Sequence, residues 1–443
     1  MSASPFHEGE QRIQAALGVR EEIEPWARRI VRRFLPEEHR QFYAKLPFLV
    51  LAARDATGRP WATLLAEEPG FVTSPDPRSL RIAAVPSPGD ALAGALQRGD
   101  DVGLLGIELH TRRRNRVNGR VEARGAAGFE LAVGQSFGNC PQYITQRRWR
   151  RAEGNARRAT ATRGSRLSPA DCELVRRADT FFIATGYRDG RDSPVHGMDA
   201  SHRGGAPGFV RVHGPRELVF PDYAGNNHFN TLGNLLMDPR AGLVFVDFER
   251  GDLLQLTGRA RIDWSSPAIE RFEGARRLVH FEIDEVVLVE RALPLRWDGP
   301  DGSLRELRIV EKRPESADVA SFVLAAPDGS ALPGFAAGQH LPVALSIPGR
   351  RGHVARTYSL SGSPAEPHYR ITVKREPHGL ASRHLHDALA VGDSIAASAP
   401  QGAFTLDASS ARPVVLASAG VGLTPLVAML HELAAADPSR PVW

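Results

Sequence analysis

The chain has 443 residues, 42% of them hydrophobic and 24% charged, which is the composition of a folded protein too long for one ordinary core; two to four domains are expected. No run approaches the ~20 apolar residues of a membrane helix, and Met1 to Glu10 lacks the basic-then-apolar pattern of a secretory leader, so a cytoplasmic location is expected. The net charge of +5 gathers in clusters such as Arg112-Arg113-Arg114 without a nucleic-acid motif, and Cys140 and Cys172 are too few for a plant-type iron–sulfur cluster.

Ile23, Ala27, Ile30, Val31 and Phe34 fall at helical spacing and predict one amphipathic helix ending near Pro36, within an arm spanning 1–44. From Pro47 the pattern turns to short β-rich runs, beginning with Phe48-Leu49-Val50-Leu51 and the turn Asp55-Ala56-Thr57-Gly58. An internal repeat then emerges. Val102 to Ile107 followed by Asn118-Gly119-Arg120-Val121 is echoed by Ala241 to Val246 followed by Thr257-Gly258-Arg259-Ala260. Gly103 with Gly242, and Gly119 with Gly258, share one spacing of 139 residues, whereas the upstream strands starting at Phe48 and Phe182 are spaced by 134. That difference is assigned to a loop. Two barrel-like copies are expected, 45–165 and 166–298, joined by an arginine-rich linker from Arg147 to Ser168 and a short helix, Ala170 to Ala178, begun by Pro169. A second boundary falls at Leu293 to Gly302, where Pro and Gly interrupt the pattern.

The second copy contains Asp199-Ala200-Ser201-His202-Arg203-Gly204-Gly205 and the stretch Phe220 to Asn234, and the first contains Gln135 to Ile144. On these segments residues 45–290 resemble the pyridoxamine 5′-phosphate oxidase-like split-barrel family. The resemblance implies FMN in the second copy and a homodimer through the barrel. Such a site needs a cation for the phosphate and neutral donors for the isoalloxazine edge, which Arg203, Asn226, Asn227, Thr231 and Asn234 supply. Gly204 and Gly205 would let a phosphate approach Arg203's backbone. The plainer alternative makes Asn226-Asn227 a turn and Thr231 the cap of a helix Leu232 to Met237. His196, His202, His213 and His228 lie in four segments without a carboxylate at ligand spacing, so no metal is expected. Haem on one axial histidine stays open as an alternative.

From Glu306 the motifs come in order: Gly338-Gln339-His340, Arg356-Thr357-Tyr358-Ser359-Leu360-Ser361, Tyr369 to Arg375, Gly379-Leu380-Ala381-Ser382, Gly392-Asp393 and Pro400-Gln401-Gly402-Ala403-Phe404. In an extended strand Arg356 and Tyr358 share a face, so a guanidinium can pair with pyrophosphate while the ring lies against a flavin. The series resembles the ferredoxin-reductase superfamily, in the style of flavohaemoglobin and oxygenase reductases. This implies an FAD-binding Greek-key β-barrel over 303–410. By resemblance Arg356 binds phosphate, Tyr358 stacks on the ring, and Ser359 tunes it; Tyr358 and Ser359 form the catalytic pair. Val373 and Lys374 supply main-chain contacts, and Gly379, Ala381 and Ser382 open a helix Ser382 to Leu389 whose amides hold the pyrophosphate. His384 and His386 face apart and are poor chelators.

Pro413 to Leu426 reads as a buried strand running into Gly420-Val421-Gly422, with Thr424 as N-cap and Pro425 opening a helix to Ala436. That is a dinucleotide-phosphate cradle, and 411–443 is expected to begin an α/β NAD(P)-binding domain that stops after one βα unit. NAD(P)H use is thus expected of a longer parent. The fold class expected is mainly β and multi-domain: a duplicated split β-barrel, a Greek-key FAD barrel and the start of an α/β lobe. The function expected is electron transfer from NAD(P)H through FAD to FMN in the barrel, or to a separate iron–sulfur protein or oxygenase. Two alternatives stand beside it: a reductase component with a structural barrel, and a non-enzymatic flavin- or haem-binding dimerisation module.

Overall fold

A computed structural model of the chain describes residues 4–152, 159–191, 193–297, 304–348, 353–377, 379–402, 404–407, 410, 412–436 and 440–443. The chain divides into two compact units, Met1–Asp298 and Gly299–Trp443. As expected, it is mainly β, and none of its described helices is long and apolar enough to cross a membrane. The expected boundary residues 298–302, linker residues 153–158, Ala403, and Asp437 to Ser439 lie outside the described residues.

Unit 1 opens with three helices, α1 (Glu8–Ala16), α2 (Arg20–Ile30) and α3 (Glu37–Ala44). The single helix expected up to Pro36 is therefore corrected. Ile23 and Ala27 do bury one helical face, but Arg32 exchanges backbone hydrogen bonds with Ser136 (3.0 and 2.7 Å), and this pulls the chain out of the helix after Ile30.

A seven-stranded sheet follows: β1 (Phe48–Arg54), β2 (Pro60–Ala66), β3 (Val72–Thr73), β4 (Ser79–Ile82), β5 (Asp101–Glu108), β6 (Arg113–Gly125) and β7 (Gly128–Gly138). Its order is β2-β1-β5-β6-β7-β4-β3. After β8 (Trp149–Arg151), β9 (Thr160–Gly164) and α4 (Pro169–Arg177, capped by Ser168) comes the second sheet. It contains β10 (Thr180–Tyr187), β11 (Gly197–Gly204), β12 (Arg211–Gly214), β13 (Glu217–Tyr223), β14 (Arg240–Asp247), β15 (Asp252–Asp263) and β16 (Ala275–Glu290), with α5 (Asn230–Met237) between β13 and β14. The order β11-β10-β14-β15-β16-β13-β12 repeats the first sheet strand for strand.

The repeat extends to registry. Gly103 faces Asn118 as Gly242 faces Thr257, and both ladders bulge at the same step, after Asn118 and after Thr257. A Cβ on Gly119 would lie 1.9 Å from the Ala132 carbonyl oxygen, and one on Gly258 would lie 1.9 Å from that of Glu282. Only glycine permits that approach. The upstream spacing of 134 is corrected to 132, because Ala52 faces Gly103 and Ala184 faces Gly242. Side chains alternate with period two, so a two-residue slip leaves both apolar faces matched and the sequence pattern cannot tell the registers apart. The expected linker also contains structure: β9 pairs with β16, and β8 pairs with β17 (Leu295–Trp297). β8 is three residues long with adjacent Arg150 and Arg151, and β9 is exposed throughout, so neither carries the apolar alternation that would have revealed it.

Unit 2 holds β18 (Arg305–Pro314), β19 (Val319–Ala325), β20 (His340–Ser346), β21 (His353–Ser359), β22 (Tyr369–Lys374) and β23 (Ser394–Ala397), in the order β21-β20-β23-β18-β19-β22. Its core gathers Leu307, Phe322, Leu341, Val343, Ile371 and Leu385. Helix α6 (Leu380–Arg383) continues into a π turn, His384–Ala388, so the helix begins two residues earlier than expected. Helix α7 (Leu423–Ala436) follows a 3-10 turn, and Val414 and Val442 form a parallel bridge on either side of it.

Candidate functional site

In unit 2 the residues expected to meet a dinucleotide sit on strands from opposite ends of the sheet order. Arg356, Tyr358 and Ser359 lie on β21, and Val373 and Lys374 on β22. The two ends meet because Leu360 bridges Ile371 and the Ser361 hydroxyl shares a hydrogen bond with Thr372 Oγ1 (2.8 Å). Arg356 is exposed, and its Nη1 donates to the Ala355 carbonyl (2.8 Å). Tyr358, two residues on, is half-buried against the apolar core, and burial pushes its phenol up. An exposed guanidinium and a supported ring thus share one strand face. His386 Nε2 donates to the Val373 carbonyl (2.9 Å) and fixes the end of β22.

The turn beyond β22 leads to Gly379, the N-cap of α6, with Ala381 and Ser382 inside its first turn. The amides of Leu380, Ala381 and Ser382 have no acceptor within the helix, as the start of any helix requires. The Ser382 hydroxyl accepts from the Glu376 amide (3.1 Å) and closes the turn. Gly420, Val421 and Gly422 form the 3-10 turn before α7, with Gly420 at φ +55°, and a side chain at either glycine would meet open space. Thr424 is not the N-cap expected. The helix starts at Leu423, directly from the 3-10 turn, and Thr424 Oγ1 donates backward to the Val421 carbonyl (2.9 Å).

In unit 1, Arg203, Asn226, Asn227 and Thr231 line one cavity of about 120 Å³. Asn234 is not among its walls. It donates to Thr185 Oγ1 (3.1 Å) and Asp199 Oδ2 (2.9 Å), and so ties α5 to β10 and β11. Asn227 adopts φ +58°, as the turn alternative expected. Thr231 does not cap α5, which starts one residue earlier; its hydroxyl donates to Ser201 (3.1 Å). The sequence reading missed two arginines of β6 that line the same cavity. Arg116 reaches Asn230 (2.7 Å), Ser201 (2.5 Å) and Asp199 (3.2 Å) in the other copy. Arg114 donates to the Cys140 carbonyl (2.7 Å), and its Nη1 lies 3.2 Å from His202 Nδ1. Arg114 and Arg116 share a strand face by period two, which was the available clue.

Electrostatics mark this cavity as a place for an anion. Burial, then the charges of Arg116 and Arg203, bring Arg114 down to about 10. Burial, then Arg114 and Arg203, hold His202 well below its ordinary value, so it is neutral. Among the described residues neither Arg114 nor Arg203 forms an ion pair, and the nearby Asp222 is bonded to Arg277 (2.7 Å). His202 Nε2, Arg116 Nε and Asn139 Nδ2 are buried without a partner. Uncompensated buried donors cost about 1–3 kcal/mol each, more when charged, and a phosphate in the cavity would offset the guanidinium charges that line it. A second cavity of about 680 Å³ adjoins the first and shares Arg114, Asn139, Cys140 and Asn226. Together they fall within the ~300–1,000 Å³ that small-molecule sites occupy, and the stacked rings of Tyr143 and Tyr223 (4.9 Å) stand at the wall. The residues therefore fit a phosphate-bearing planar ligand.

His196 differs from the scattered histidine expected: its Nδ1 lies 3.2 Å from Asp189 and its Nε2 3.8 Å from Glu8. One ring nitrogen of His196 and an oxygen of each carboxylate lie within 4.8 Å of one another, a carboxylate–histidine group that the expectation of scattered histidines overlooked.

Residues 35–158 match the family model described as pyridoxamine 5′-phosphate oxidase, and residues 306–406 match the oxidoreductase FAD-binding domain. Flavohemoproteins of Deinococcus radiodurans and Bordetella pertussis are 43% identical over 162 residues and 46% identical over 160. These matches cover 36% and 34% of this chain and 40% of each relative, so the chain spans about two fifths of the curated relatives it matches. The solved flavohem-like FAD/NAD-binding domain of nitric oxide dioxygenase from Vibrio cholerae O1 biovar El Tor is 43% identical, with 31% of this chain and 60% of that chain covered and a TM-score of 0.30. The two family matches fall on separate stretches of the chain, one in each unit. The chain joins a pyridoxamine 5′-phosphate oxidase-like region to a ferredoxin-reductase-type FAD-binding domain. The first match falls on the first copy, whereas the FMN-type site was expected in the second; the cavity draws on both.

Proposed function

We propose that the chain is the flavin-bearing part of an NAD(P)H-dependent oxidoreductase. FAD bound in unit 2 would accept a hydride from NAD(P)H and release electrons onward, the redox step being the cofactor's own. The chain's residues hold and orient it. Arg356 places a guanidinium against the pyrophosphate, Tyr358 gives the ring a rigid apolar wall, and Ser359 offers a hydroxyl beside it. Val373 and Lys374 line the facing strand, Gly379, Ala381 and Ser382 bring amides to the phosphates, and Gly420, Gly422 and Thr424 form the bend that a second nucleotide approaches. The observation that carries this reading is the junction of β21 and β22, which joins Arg356 and Tyr358 to the Gly379 turn inside the matched stretch 306–406.

The onward acceptor we propose is FMN in the unit 1 cavity, supported by Arg114 and Arg203, which line it and form no ion pair among the described residues. A separate iron–sulfur protein or oxygenase is the acceptor otherwise. The barrel-mediated pairing expected between chains has a counterpart inside this one, because Asn118 and Arg116 of one copy bond Asp199 of the other (2.6 and 3.2 Å). Denaturing the purified chain and measuring the released flavins tests the reading. Equal FAD and FMN are expected; FAD alone would leave a reductase with a structural barrel, and neither would leave a binding module.

A further inference from the structure

The matching registers of the two sheets give unit 1 an internal two-fold relation, and the cavity accordingly has a counterpart. β6 corresponds to β15 as Gly119 does to Gly258, so Arg114 and Arg116 correspond to Leu253 and Gln255. β2 corresponds to β11 as Ala62, facing Ala52, does to Ala200, facing Ala184. Thr63, Leu64 and Leu65 therefore stand where Ser201, His202 and Arg203 do.

The crossing hydrogen bonds recur on both sides. At the cavity Arg116 reaches Ser201 and Asn230 of the opposite copy, and Thr231 bonds Ser201. At the counterpart Gln255 reaches the Ala62 carbonyl (2.9 Å) and Asp90 (3.2 Å) of the opposite copy, and Thr63 bonds Asp90. The architecture is preserved and the charge is not. Leu253, Leu64 and Leu65 are at most 2% exposed, and Leu253 and Leu64 pack in one apolar cluster. Buried leucines need no partner, whereas partly buried guanidiniums that form no ion pair among the described residues, as at Arg114 and Arg203, are completed by an anion.

We infer that unit 1 takes one phosphate-bearing planar ligand per chain, held between the copies at Arg114 and Arg203, and that the symmetry-related position is closed core which takes none. This rests on the reading of the cavity as a flavin-phosphate site. The test titrates FMN into the full chain after saturation with FAD, and counts FMN retained after gel filtration. One FMN per chain is expected. Two would overturn the inference and leave the flavin reading standing; none would overturn that reading itself. The double variant Arg114→Leu with Arg203→Leu installs the counterpart's residues and is expected to retain no FMN. If it still holds one, the ligand lies elsewhere and the assignment fails. The single variant Arg203→Gln, expected to fold because it keeps a polar side chain, should bind FMN at least about tenfold more weakly; unchanged affinity would equally overturn the assignment.

Discussion

Units 1 and 2 place their functional groups in opposite ways. In unit 2, Arg356 is exposed on a strand edge, and its expected co-workers follow within about thirty residues along the chain. In unit 1 the cavity is walled by residues from both copies, such as Arg116 and Ser201, separated by 85 positions and joined at 2.5 Å. The unit 2 groups stand on single strands and the turn beyond β22, while those of unit 1 are held by hydrogen bonds between the copies. Changes to the backbone packing of unit 1 should therefore abolish its site, whereas unit 2 should lose its ligand through single side chains with its fold intact.

The largest effect should come from Gly258→Ala, which sets a Cβ against the Glu282 carbonyl. Unit 1 should lose about 3 kcal/mol in denaturant unfolding while unit 2 keeps its FAD. A midpoint unmoved by the change would show that the bulge tolerates a side chain and that the comparison is drawn in the wrong place. Arg356→Ala should cost about 2 kcal/mol of FAD binding, roughly thirtyfold, with the unit 1 transition unchanged. Retained FAD at full affinity would move the phosphate contact to another residue.

A third outcome concerns pH. Burial lowers both His7 and His228 to about 4 from an ordinary 6.5. Between those values the unfolded chain binds protons that the folded chain refuses, so stability is full above about pH 6.5 and is lost as pH falls toward 4. Each histidine should remove about 1.4 kcal/mol by pH 5.5, read as a drop in the unit 1 midpoint, and His228→Gln should shrink that drop. A flat profile from pH 7 to 5 would contradict the buried, neutral imidazoles.

Legibility followed contact range. The order of motifs from Gly338 to Phe404 lies along the chain, and each motif needs only its own neighbours to be read; the family match over 306–406 falls on the same stretch. The duplication was legible because Gly119 and Gly258 are each forced by a backbone approach that no other residue permits. Arg114 and Arg116 were not, since nothing local distinguishes two arginines on a basic strand from a solvated face. Setting them beside Leu253 and Gln255 in the repeat would have flagged them. Helix starts also misled: the Thr424-Pro425 pair looks like a cap, yet the 3-10 turn before it moved the boundary.

By itself the sequence determined a mainly β chain, a doubled strand pattern and an ordered dinucleotide motif, because apolar periodicity, obligatory glycines and short motifs act over a few residues. Only the tertiary structure decided which copy faces which, at what register, and that one inter-copy position keeps its arginines while its counterpart closes with leucine. That choice depends on side chains more than eighty residues apart meeting at hydrogen-bond distance, and no local pattern encodes such a meeting.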